Sequence, residues 1–217
     1  DSNRLFQTWE RMSLMEHPYE NNRPCDDGVG HLSVESVSSS PAGPFTKNRS
    51  NHMRRKDREI TDEEEILQVL KKCNTVRIGM IGEDGPYVVP VTPAVTCENG
   101  KTVVYFHCAK AEGKMVKMLR QDAHVCVEGD VFLGIQTTEH GITTRYQSVI
   151  GFGKAALIKD SQEVVRALQL LVTQYGFTDY PLNRCKGIPR LYIVKIILER
   201  ITGKQNLPAP KSVPWKI

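Results

Sequence analysis

Thr102 to Leu119 reads TVVYFHCAKAEGKMVKML. Its opening, Thr102-Val-Val-Tyr-Phe-His107, is β-branched and aromatic and predicts a strand, while Met115, Met118 and Leu119 fall at helical spacing. A short turn of small residues separates the two, so the stretch reads as a strand-turn-helix junction. The first N–H groups of a helix have no partner within it and sit at the positive end of its dipole, so such a junction favours a bound anion such as phosphate. Gly113 permits close backbone approach and Lys114 adds a cation. Taken alone, the same residues also describe a surface turn with a solvated lysine, and the surrounding chain has to decide between the two.

Upstream, Thr61-Asp-Glu-Glu64 reads as a capping box in which the Thr61 hydroxyl caps a short helix that buries Ile66, Val69 and Leu70. A strand over Val76 to Ile81 leads through Glu83-Asp-Gly85 into a second strand, Tyr87 to Val95, and Asp-Gly is a hairpin signal. Pro90 cannot donate to a ladder, so it implies an edge, a bulge or a ligand-facing position. A second turn at Glu98-Asn-Gly100 enters the 102–107 strand.

Downstream of a helix over about Glu112 to Arg120, Ala123 to Glu128 returns as a strand. Arg145 to Ile158 is a longer one, whose Gly151 and Gly153 mark a bend or a close backbone contact. Ser161 to Tyr175 is the clearest helix, with a start signal at Asp160 and Glu163 and an apolar side of Val164, Val165, Leu168, Leu171, Val172 and Tyr175. Residues 176–189 form a loop, Leu191 to Ile201 a final buried strand, and the proline-broken remainder from 204 to 217 an irregular arm. Successive hairpins demand antiparallel pairing, and short curved strands with interior glycines favour closure. The expected fold is α+β, built on a small antiparallel barrel.

The chain has 217 residues, 40% of them hydrophobic, enough for one sizeable core. Residues 1–52 are rich in Ser, Asn, Pro and Gly without a sustained period, and read as a disordered or loosely packed extension. Met53 is a candidate initiator. The extension holds five Lys/Arg against seven Asp/Glu, which with an overall charge of +4 leaves +6 for residues 53–217. That excess suits an anionic ligand but forms no basic patch interleaved with aromatics, so nucleic acid is not an expected partner. No apolar run is long enough for a membrane span, and the N-terminus lacks a continuous signal-like core, so a cytoplasmic protein is expected. The six cysteines are scattered, with no C-x-x-C pair and no Cys/His cluster at zinc spacing, so no metal is assigned.

Three spaced motifs, Pro86-Tyr-Val-Val-Pro-Val91, Val104-Tyr-Phe-His-Cys-Ala109 with Gly113-Lys114, and Tyr146-Gln-Ser-Val-Ile-Gly-Phe-Gly153, resemble the pyridoxamine-phosphate-oxidase-like FMN-binding split barrels, above all their nitroimidazole-resistance branch. The resemblance spans residues 53 to about 200. It implies a six-stranded antiparallel split β-barrel with flanking helices, a homodimer, and FMN sites at the dimer interface. By position it implies that Val89, Pro90 and Val91 lie along the isoalloxazine and that His107, Cys108 and Ala109 approach the ribityl chain and phosphate. Lys114, beside Gly113, would pair with the phosphate, and Tyr146, Gln147 and Ser148 would occupy the neighbouring strand. Two positions depart from the pattern. Gln147 stands where relatives commonly carry Arg, and Thr92-Pro-Ala-Val-Thr96 replaces a stretch that is often aromatic.

The implied activity is FMN-dependent oxidoreduction. Electrons would come from NAD(P)H, bound transiently because no G-x-G-x-x-G fingerprint is present, and pass to a small-molecule acceptor such as a nitro-aromatic compound. His107 is the candidate catalytic residue: it would bind cofactor or substrate, with proton donation a second role open to an imidazole. A non-enzymatic flavin- or haem-binding protein, with His107 as an axial ligand, is the alternative, and an interaction module with a vestigial pocket is the third reading.

Overall fold

The computed structural model describes residues 53–139 and 141–208. The expectations for residues 1–52 and for 209–217 lie outside them. Eleven helices and strands follow in order: β1 (Glu59–Ile60), α1 (Glu63–Lys72), β2 (Val76–Gly82), β3 (Gly85–Val91), β4 (Ala94–Glu98), β5 (Lys101–Ala109), α2 (Lys114–Gln121), β6 (His124–Thr138), β7 (Gly141–Ile158), α3 (Ser161–Gln174) and β8 (Leu191–Asn206). No helix among the described residues is long and apolar enough to cross a membrane.

All pairings are antiparallel, and the strands join in the order β3-β2-β6-β7-β8-β5-β4, with β1 added on β8. The two ends of that path, β3 and β4, are consecutive in the chain. Three peptide units from Val91 to Ala94 span at most about 11 Å. The sheet must therefore curl until its edges nearly meet, yet no ladder joins β3 to β4. This is a split barrel.

The barrel expectation holds, with a different strand count. The single strand expected over 87–95 is two, because Pro93 interrupts it, and β1 adds a short eighth strand. The hairpin turns fall where expected: Gly85 has φ +106°, and Asn99 and Gly100 have φ +50° and +73°. Pro90 lies on an edge strand, as its missing N–H requires.

β6 and β7 run well past the expected ends, through a bulge at Phe132/Gly134. β8 continues to Asn206, so Lys204 to Asn206 pair with Tyr146 to Ser148 instead of starting an irregular arm.

The barrel interior holds Ile78, Met80, Val104, Phe106, Val127, Val149, Val194 and Ile196. α1 lays Ile66, Leu67, Val69 and Leu70 into it, and α2 adds Met118 and Leu119. A second core lies on the other face of β5 and β8, where Ala167, Leu168 and Leu171 of α3 cover Val103, Tyr105 and Ile193. β5 is thus buried on both faces, which explains its unbroken apolar run. α3 is rotated slightly from expectation: Ala167 is buried, while Val165 is 50% exposed.

The cap of α1 is Asp62, whose carboxylate accepts from the Glu64 N–H at 2.9 Å, so Thr61 does not close the expected box. Asp62→Ala is expected to cost about 1 kcal/mol, or roughly 3 °C in Tm, while Thr61→Ala leaves the melt unchanged. Equal losses in the two variants would mean that both residues cap.

Candidate functional site

β5 carries its pattern of alternate faces to the very end of the strand. Cys108 continues the inward side of Val104 and Phe106 and is half-buried against the barrel core, whereas His107 continues the outward side of Tyr105 and is exposed. Burial pushes the Cys108 thiol up, away from the reactive thiolate range.

The β4–β5 ladder stops at Ala94 opposite Tyr105. His107, Cys108 and Ala109 therefore pair only on their other edge, with Ile193, Tyr192 and Leu191. They border the break in the barrel, where Thr92 and Pro93 cross from β3 to β4.

That break is held by α3. Val95 N–H donates to Gln174 Oε1 at 2.8 Å, and Pro93 C=O accepts from Gln174 Nε2 at 3.2 Å and from the Tyr175 hydroxyl at 3.1 Å. Side chains from one helix thus satisfy backbone groups that a closed barrel would pair by a ladder.

Beyond Ala109 the chain turns through Lys110 to Gly113 and starts α2. Gly113 is the N-cap and supplies no side-chain cap, and the first helical bond is Lys117 N–H to Gly113 C=O at 3.1 Å. The N–H groups of Lys114, Met115 and Val116 consequently have no partner within the helix. A Cβ built at Gly113 would meet nothing within 4 Å, so this start faces open space.

The Lys114 ammonium stands beside it, 3.2 Å from Asp84 Oδ2 in the β2–β3 turn and 4.9 Å from the centroid of the Tyr87 ring. Both charged groups are at least half exposed. Such a pair is worth under about 1 kcal/mol, so an arriving anion can displace Asp84.

The other site residues expected from sequence are not all on one surface. On β3, Val89 and Val91 pack against the barrel core, and only Pro90 faces outward, beside the exposed Val88. On β7, Tyr146 and Ser148 face outward with Ile150 and Phe152, while Gln147 points inward and is 6% exposed. Gln147 Nε2 donates to Gln205 Oε1 at 3.0 Å, and Gln205 Nε2 donates to Glu65 of α1 at 3.0 Å. Gln147 therefore belongs to a polar chain under α1.

Burial alone would raise the Tyr146 phenol, but the hydrogen bonds and charges of Arg58 and Lys204 bring it below its ordinary value. Pro90 and Ser148 lie three strands apart, about 14 Å. Within one chain, then, the structure brings together His107, Cys108, Ala109, Gly113 and Lys114 at the break, and sets Pro90, Tyr146 and Ser148 on the outward sheet.

Sequence reasoning passed over that outward sheet. Its rows run Pro90–Arg77–Glu128–Ile150 and Val88–Gly79–Cys126–Phe152. Arg77 donates to Glu128 at 2.9 Å and to Asp130 at 2.6 Å. Alternation along Val76-Arg-Ile-Gly-Met80 would have placed Arg77 there. Among the described residues no group of three His, Cys, Asp or Glu could hold a metal ion.

A model of the pyridoxamine 5'-phosphate oxidase family matches residues 62–205. No curated protein sequence matches the chain. Among solved structures, a candidate 5-nitroimidazole antibiotic resistance protein from Bacteroides thetaiotaomicron is 23% identical, with a TM-score of 0.59 over 68% of this chain and 86% of that one. The flavocytochrome Anf3 from Azotobacter vinelandii is 19% identical, with a TM-score of 0.61 over 75% and 76%. The FAD and haem binding protein from Mycobacterium smegmatis is 14% identical, with a TM-score of 0.58 over 72% and 77%. These likenesses concern the fold, and the family match covers the barrel from α1 almost to the end of β8. The chain belongs to the pyridoxamine 5'-phosphate oxidase family of split-barrel proteins.

Proposed function

We propose that the β5–α2 junction binds the phosphate of FMN and that the protein is an FMN-dependent oxidoreductase. The observation that carries the reading is the uncapped start of α2: three unpaired N–H groups and Lys114 around open space. That donor set fits a phosphate without rearrangement of the backbone. Bound FMN supplies electron and hydride transfer. The chain's own part is to anchor the phosphate through Lys114 and the helix start, and to offer the exposed His107 imidazole as a hydrogen-bonding and proton-holding group.

NAD(P)H is the proposed donor and a small nitro-aromatic compound the proposed acceptor, in keeping with the name of the Bacteroides neighbour. A haem protein with His107 as axial ligand is the second reading; it is favoured by the exposure of that imidazole at a strand end and by the haem in the name of the Mycobacterium neighbour.

The same proposal includes a homodimer. The outward sheet exposes Ile81, Val88, Ile150 and Phe152, and the β6–β7 ribbon beyond it exposes Phe132, Ile135 and Ile142. The Gln136 and Arg145 side chains pair on the other side of that ribbon, at 2.9 Å. A two-stranded ribbon is marginal in water unless its apolar face is covered, and a second copy would cover it.

The test is FMN titration of the full chain followed by visible absorption. Lys114→Ala is expected to weaken FMN by about 10- to 100-fold, the loss of one charge-assisted phosphate contact, while riboflavin, which lacks the phosphate, binds both forms alike. Protein that takes up no FMN, or a variant that binds it as well as the parent, would sink the reading. A Soret band would move it to haem.

A further inference from the structure

A cavity adjoins this junction at Tyr192, the ladder partner of Cys108. It has a volume of about 450 Å³ and is walled by Leu119 and Arg120 at the end of α2, by the end of β7 from Ala155 to Lys159, and by Tyr192 at the start of β8. Small-ligand clefts have about 300–1,000 Å³. Lys114 and Arg120 are six residues apart on α2, so they are separated by about 9 Å along the axis and about 120° around it. Arg120 nevertheless reaches back to Glu112 in the turn before α2, so the cavity neighbours the junction, although it shares none of its lining residues.

Its lining is divided by chemistry. On the barrel-core side of the sheet Leu119, Leu157 and the Tyr192 ring form an apolar wall, whereas Ala156 and Ile158 turn to the α3 side. Arg120 and Lys159 supply the cations. Arg120 bonds Glu112 Oε1 at 2.6 Å and also interacts with the Tyr192 hydroxyl, and a guanidinium has five N–H donors, so it keeps donors in reserve. Lys159 has no hydrogen-bond or ion-pair partner among the described residues. Lys110 adds a third positive charge, 5.8 Å from the Tyr192 ring centroid. Of the nearby carboxylates, Glu112 is matched to Arg120, and Asp160 is committed to the Glu163 N–H as the cap of α3. The cavity thus offers an apolar slot with uncompensated positive charge at its mouth.

We propose that this cavity is a second small-molecule site, selective for a small organic anion with a flat aromatic or branched apolar body. The body lies on Leu157 and the Tyr192 ring, and the anionic head lies between Arg120 and Lys159. The proposal does not depend on flavin binding.

Amide NMR of the full chain, titrated with naphthalene-2-sulfonate and separately with neutral 2-naphthol, tests it. The expected result is saturable shifts at Arg120, Leu157, Lys159 and Tyr192 with the sulfonate, and binding at least tenfold weaker for the naphthol. Arg120→Gln should weaken the sulfonate about tenfold with little effect on the naphthol. Tyr192→Ala, which removes the ring that the body lies on, should weaken both about tenfold. Addition of FMN should leave these shifts in place. Shifts that never saturate, shifts confined to the exposed sheet around Val88 and Phe132, equal binding of the two probes, unchanged affinity in both variants, or displacement by FMN would each overturn it.

Discussion

Gly153→Ala is expected to cost about 4 kcal/mol or more, a range reached by few mechanisms, among them overpacking against atoms that cannot move aside. At Gly153 the β7–β8 register slips: Phe152 pairs with Arg200 but Gly153 pairs with Leu198, so Glu199 is the extra residue of a bulge. The bulge draws the two backbones together. A Cβ on residue 153 would lie 2.1 Å from the Ile197 carbonyl oxygen, 2.8 Å from its carbon and 2.9 Å from Leu198 Cα. None of these atoms is the end of a flexible side chain, so relief requires the central pair of strands to separate.

Gly151→Ala is the control. There the Cβ meets Leu198 Cδ1 at 2.7 Å, a methyl that can rotate away, and the cost is expected to be about 1–2 kcal/mol. Urea denaturation of both variants, read by far-ultraviolet circular dichroism, should show Gly153→Ala melting far earlier than Gly151→Ala. Equal midpoints would mean that the bulge adapts and that the glycine is dispensable.

These two glycines show what the sequence revealed and where it stopped. Their spacing in Tyr146 to Gly153 announced a close backbone contact, and Asp84-Gly85 and Asn99-Gly100 announced both hairpins, because left-handed backbone has a short list of residues. What stayed hidden depended on faces and partners. Val89, Pro90 and Val91, like Tyr146, Gln147 and Ser148, are consecutive, and a strand sends consecutive side chains to opposite faces, so a three-residue motif could not lie wholly on one surface.

The extension of β6 beyond Glu128 was obscured because the bulge at Phe132/Gly134 breaks the alternation that marks a strand. The split itself rests on contacts far apart in sequence: Gln174 and Tyr175 act on Pro93 and Val95. No local pattern records such a pairing. The anion-favouring junction was legible because its physics is local, held in a glycine, a lysine and a helix start within a few residues of one another.

The other end of α3 yields the second large effect. Lys195 on β8 bonds Glu163 of α3 at 2.7 Å and Glu98 of β4 at 3.0 Å; the Tyr105 hydroxyl donates to Glu98 at 2.9 Å, and Arg166 reaches Glu98 at 2.8 Å. Lys195 and Glu98 are 18% and 15% exposed at their side chains. Lys195→Met keeps the stem but leaves two carboxylates facing one another with only Arg166 as counter-charge. Removing one partner of a buried pair costs about 3–5 kcal/mol; partial exposure and Arg166 bring the expected loss at neutral pH to about 2–3 kcal/mol.

Titration separates this from lost packing. In the parent, burial pulls the Glu98 carboxyl up, but Lys195, Tyr105 and Arg166 outweigh it and hold it below the usual carboxylate range. A depressed carboxylate adds stability that is present above its unfolded value and is lost as pH falls through the folded one. The parent therefore weakens in acid by this route. The variant, whose crowded carboxylates welcome a proton, weakens less, so the difference between the two should shrink from pH 7 towards pH 4.

At the alkaline end the signs reverse. Burial pushes the Tyr105 phenol up to about 12, and the Glu163 and Glu98 carboxylates raise the Lys195 ammonium in spite of its burial. Both shifts make the folded state hold protons that the unfolded chain releases, so the parent should lose stability above about pH 10. Urea midpoints for the two proteins at pH 4, 7 and 10 decide the matter. A gap that stays constant across the series would assign the loss to the lysine's aliphatic stem, whereas a gap that narrows in acid places it in the charge network that fastens α3 to the strand leading to His107.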